Sequence, residues 1–160
     1  MSRVSFMKII SLICLASALT LSANAAQLNR EKTMKNTFEI KSWDETPYME
    51  LKDTSKYSRA TLVKEYRGNM IGTGKLEYLM AYNESGTAHF VGIEHFEGSV
   101  DGKLGTFSIS HEGSFKNGTV TSSFEIIEGS QTAQLSNIEG KGSYTTGHSM
   151  VVNFDFEYKP

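Results

Sequence analysis

The 160 residues contain one cysteine, one tryptophan and two prolines. The cysteine, Cys14, lies in an N-terminal stretch that reads as a leader. Past that stretch there is no thiol, which excludes a disulfide framework, a thiolate nucleophile and a cysteine-ligated metal. The prolines are Pro47 and the terminal Pro160, so the long interval between them lacks the strongest breaker of a strand. No apolar run reaches the roughly 20 residues that cross a bilayer as a helix; the longest, Ile9 to Leu21, stops short of it. Clustered basic charge is also missing. Arg3 and Lys8 take two of the 16 Lys and Arg, leaving 14 against 18 acids in the remainder, a charge of about −4. That balance argues against nucleic acid and anionic membrane as partners, because phosphate contacts need grouped Lys and Arg.

The first 25 residues carry those two bases and no acid, then the apolar stretch, then the small residues Ala23-Asn24-Ala25. Such an order reads as a signal peptide cleaved ahead of Ala26, and it assigns the protein to the periplasm or the exterior of a bacterium. Ile13 before Cys14 is too bulky for lipoprotein processing. A cysteine-free remainder suits an oxidising compartment. Residues 26–36 are polar and mixed in charge and read as a flexible arm. Residues 37–160 form one domain, a length that holds a single core and argues against a two-domain enzyme.

Within that domain the apolar period is two, and no window sustains a helical period. Phe107, Ile109, His111 and Phe115 alternate with Thr106, Ser108, Ser110, Glu112 and Ser114. Near the C-terminus Val152, Phe154, Phe156 and Tyr158 alternate with Asn153, Asp155 and Glu157. Asn117-Gly118 is a hairpin turn, since both residues tolerate positive φ. All 14 glycines fall between Gly68 and Gly147, spaced like turns and bulges. Further strands are expected over 37–43, 57–67, 73–82, 87–97 and 119–126, with a short one over 133–138 and a turn at Gly140 to Gly142. About eight antiparallel strands on short connections predict an all-β fold, either a sandwich or a single up-and-down β-barrel of the lipocalin-like kind.

Several stretches resemble a known family. They are Phe38 to Trp43, Arg59-Ala60, Tyr66-Arg67-Gly68, Glu77 to Ala81, Val91 to Gly98, Gly102 to Phe107, His111-Glu112-Gly113 and Gly129 to Gly140. This order is similar to a set of uncharacterised bacterial proteins, a domain of unknown function whose barrel resembles that of plant allene oxide cyclase. The likeness spans Thr37 to Tyr158. Where relatives carry Ser-Gly-Thr-Gly, this chain has Ser130-Gln131-Thr132-Ala133. The resemblance implies a barrel and carries no established activity; cyclase catalytic residues have no counterparts here position by position.

Motifs for chemistry are sparse. Gly72-Thr73-Gly74 runs into Lys-Leu-Glu, with no helix to receive a phosphate. There is no Gly-x-Ser-x-Gly elbow and no His-Glu-x-x-His. His89 and His95 lie six residues apart, about 20 Å along a strand, too far to share a metal. His148 sits in a turn. No metal and no cofactor are expected. Three polar residues do interrupt apolar faces: Lys64 between Leu62 and Tyr66, Glu94 between Phe90 and Phe96, and His111 between Ile109 and Phe115. If they point inward they must be paired or line a wet cavity, because a lone buried charge is costly. The alternatives are a solvated barrel mouth for the charges and a structural, carbonyl-bonded histidine. Candidate ligand-binding residues are therefore Lys64, Tyr66, Glu94, Phe96, Phe107, Ile109 and His111. The stripe Leu76, Tyr78, Met80 and Tyr82 reads as barrel core. Trp43 falls off the face of Phe38 and Ile40 and is expected to close the barrel end.

Three functions fit. The first is a binding module that holds a small, mostly apolar molecule in its interior. The second is a cofactor-independent cyclase or isomerase of the allene-oxide type, acting on an unsaturated lipophilic substrate through cavity shape. The third is a solid barrel with a structural or interaction role. The residues favour binding and leave catalysis and homo-oligomerisation open.

Overall fold

A computed structural model describes residues 32–160. The leader expected over 1–25 and residues 26–31 of the arm lie outside the described residues. Eight strands follow in order: β1 (Lys32–Glu50), β2 (Lys56–Arg67), β3 (Met70–Tyr82), β4 (Ala88–Val100), β5 (Lys103–Lys116), β6 (Thr119–Ile126), β7 (Glu139–Thr146) and β8 (Val151–Lys159). Each pairs antiparallel with the next, and β8 pairs back onto β1. The fold is a closed, all-β, up-and-down barrel, and closure leaves the paired stretches without an exposed edge.

The alternation of side chains drives the closure. In β2 Ser58, Ala60, Leu62, Lys64 and Tyr66 are buried, and the residues between them face outward. β3, β4 and β8 repeat the pattern. One end of the barrel carries the Gly68-Asn69 and Asp101-Gly102 turns and the connection over 127–138. The interior below it is filled by Met70, Phe96, Val100, Phe107, Leu135, Ile138 and Phe156. Toward the opposite end a second cluster forms from Ala60, Leu62, Leu76, Tyr78, Met80, Ala88 and Phe90.

Four local features depart from the alternation. β1 begins at Lys32, so Asn36 belongs to the barrel instead of an arm. Asn36 is buried, and its Oδ1 accepts from the backbone N–H groups of Asn69 and Met70 at 2.8 and 2.9 Å, pinning the β2–β3 turn. A register shift between Ile40 and Ser42 inserts Lys41 as an extra residue against β2. The bulge swaps parity, so Trp43 pairs with inward-facing Leu62 and turns toward the interior, half exposed at the rim. It borders an opening and does not seal the end.

The expected strand over 133–138 is a 3-10 turn, Ala133–Leu135, within an irregular connection. That connection stands in for a strand along the first half of β5. Ile127 and Thr132 donate backbone N–H groups to the Ser108 and Thr106 carbonyls, while the Gln134, Thr132 and Ser130 side chains accept from Leu104, Thr106 and Ser108. The missing strand, β7, occupies the glycines read as a turn. A Cβ at Gly142 would overlap the Phe124 ring and the Asp155 carbonyl, so glycine here permits close packing under a ring.

Candidate functional site

Register brings four of the candidates, Lys64, Tyr66, Glu94 and His111, together at mid-height. Lys64 on β2, Glu94 on β4 and His111 on β5 all point inward and are buried. Glu94 is the hub. Its Oε2 accepts from Lys64 Nζ at 2.8 Å and pairs with His111 Nε2 at 2.9 Å, and its Oε1 accepts from Tyr66 Oη at 2.6 Å. The ammonium of Lys64 also lies 4.6 Å from the centre of the Phe38 ring. Room for the carboxylate comes from Gly74 on β3, where a Cβ would overlap Glu94 Oε1.

Burial and charge set the protonation of this cluster. Burial pushes the Glu94 carboxyl up, but the Lys64 ammonium and the hydrogen bond from His111 outweigh it and hold the group at about 2. Burial, aided by the charge of Lys64, pushes His111 down, against the pull of Glu94. The imidazole is then neutral at neutral pH and donates Nε2–H to Glu94. Its Nδ1 is buried with no partner. Burial and the Glu94 carboxylate drive the Tyr66 phenol far up, so Tyr66 stays a donor. One ammonium and one carboxylate leave the cluster neutral overall.

Above this layer the barrel is hollow. A cavity of about 230 Å³ opens toward the end that carries the Asn117-Gly118 turn, walled by Phe38, Leu62, Met80, Phe90, Phe115 and Val120. It lies at the end where β8 begins, beyond which the continuation of β1 past Ile40 has only β2 beside it. Trp43, Tyr82, Gly147 and Ser149 form its rim. Lys64 lines it, and so do Tyr78 and Tyr144, whose hydroxyls lie 3.3 Å apart. The volume falls below the ~300–1,000 Å³ of drug-sized sites, so an occupant would be a single ring or a short chain.

Of the candidate residues, only Lys64 borders this cavity. Glu94 and His111 brace it from behind. Tyr66, Phe96, Phe107 and Ile109 belong to the packed core and are not cavity walls. Tyr144 was hidden because its strand looked like a turn, and the inward swing of Trp43 depends on a bulge that parity counting cannot register. Tyr78 and Met80, read as core, also serve as wall. A larger hollow of about 1,040 Å³ lies on the outer wall over Leu79, Val91 and Ile93, with Glu112, Glu125 and Lys141 beside them. It is an open groove lined mostly by exposed side chains, and its lining also takes in the buried His111 and Phe124.

Comparison with curated proteins finds no match. Among solved structures, the chain is similar to a protein with unknown function from the DUF3224 family of Shewanella oneidensis MR-1. The TM-score is 0.67 at 20% identity, over 81% of this chain and 97% of that one, a likeness of fold. The family model described as "Protein of unknown function (DUF3224)" matches residues 34–158, nearly the whole barrel, and the chain belongs to that family.

Proposed function

We propose that this is an exported binding protein whose barrel takes up a small, mostly apolar molecule. The observation that carries the reading is the 230 Å³ cavity, bounded by apolar and aromatic side chains with Lys64 at its floor. Apolar walls with a few convergent polar groups are the usual make-up of a ligand site. Export rests on the leader-like residues 1–25 and on the absence of cysteine after Cys14. A cyclase or isomerase is the second reading. It draws support from the donors at the cavity floor, which would polarise the oxygen of an unsaturated epoxide.

Native mass spectrometry of protein recovered from exporting cells tests the first reading. A chain starting at Ala26 and carrying a small noncovalent adduct is expected. Retention of residues 1–25 would sink the export proposal. A bare chain that also fails to take up added toluene would sink binding. Turnover of an unsaturated epoxide by the purified protein would replace binding with catalysis.

A further inference from the structure

The polar atoms facing the cavity are unequal in kind. Lys64 Nζ has three hydrogens and spends one on Glu94. The Tyr78 and Tyr144 hydroxyls share one hydrogen between them, which leaves the second free to turn into the cavity. The one carboxylate of the cluster, Glu94, already accepts from Lys64, His111 and Tyr66 and does not line the cavity. The floor therefore offers spare hydrogens under an apolar chamber. It is also electrically complete, because the charge of Lys64 is already matched by Glu94 at 2.8 Å. An anion would bring a second negative charge into a buried site with no cation left to match it.

From this floor we infer that the ligand is a neutral molecule with a compact apolar body and one accepting oxygen, a ketone or a similar carbonyl, held by the free tyrosine hydroxyl hydrogen. The inference rests on the binding reading above and narrows it to a chemical class. The carbonyl oxygen faces the Tyr78–Tyr144 pair, and the ring or chain points out past Leu62 and Val120 toward Trp43. Burial drives the Tyr78 phenol upward, with the Tyr144 hydroxyl adding to it, so Tyr78 stays protonated at neutral pH.

Three planar molecules of nearly one shape separate the possibilities: acetophenone, α-methylstyrene and benzoate. Each is titrated into the full barrel and followed by NMR. Acetophenone is expected to bind about tenfold tighter than α-methylstyrene, the yield of one good hydrogen bond, and benzoate more weakly than either. In Tyr78→Phe/Tyr144→Phe, acetophenone should fall to the level of α-methylstyrene, whose own affinity holds and thereby reports an intact cavity. If that double variant does not fold, the three ligands on the unaltered protein decide alone. Equal binding of acetophenone and α-methylstyrene overturns the donor-floor inference and leaves the cavity reading standing. Tightest binding by benzoate overturns neutrality and makes Lys64 an anion site. Binding by none of the three overturns both readings.

Discussion

At the scale of single residues, Glu94 is the part whose loss of partners costs most. A buried pair broken on one side leaves an uncompensated charge, which costs about 3–5 kcal/mol. Lys64→Met should lower the denaturation free energy by that amount in urea unfolding. Arg59→Met, which breaks the exposed Arg59–Glu77 pair on the outer wall, should leave the midpoint almost unmoved. Acid acts on the same cluster. Glu94 is held near 2 in the fold and titrates around 4.5 when unfolded, so its contribution is whole above about pH 5 and drains away toward pH 2. His111 is held neutral in the fold, whereas the unfolded imidazole takes up its proton near 6.5, so its share is lost as pH falls below that value. The melting temperature should therefore decline in two stages on acidification. His111→Gln should flatten the stage between pH 7 and 5 and leave the lower one in place. The trio was legible from strand parity because each member interrupts an apolar face. What parity could not say is that one carboxylate serves all three donors.

Strands show how far period two reaches and where it fails. β2 to β6 and β8 were recognisable because their inward residues are large and apolar. β7 was not, since Gly140 and Gly142 occupy places where the Phe156 and Phe124 rings already fill the interior. Its signal lies on the neighbouring strands as surplus aromatic volume, which no local window registers. Gly142→Ala should accordingly cost about 1–3 kcal/mol by overpacking, measured by thermal or urea unfolding. The 127–138 connection suggests the opposite experiment. Ala133 sits at φ 52, a left-handed conformation that favours glycine. Ala133→Gly should relieve the Cβ strain by more than the added freedom of the unfolded chain takes back, raising stability by roughly 0.5 kcal/mol.

For the whole molecule, the barrel is divided by its polar layer into a solid half and a hollow half. The sequence was enough for the closed eight-stranded architecture, since alternation, glycine spacing and short turns agree with one another. It was not enough for the division, because Ile109 and Leu62 look alike along the chain and differ only in what lies across the barrel from them. Ile109 meets other core residues, while Leu62 meets empty space. A methyl-resolved NMR titration with toluene reads this difference directly. Shifts should appear at Ile40, Leu62, Met80, Val120 and Val152, saturate at one equivalent and spare Ile109, Ile126 and Leu135 in the solid half. Shifts confined to Leu79, Val91 and Ile93 on the outer wall, or no saturable shift at all, would contradict an interior binding site.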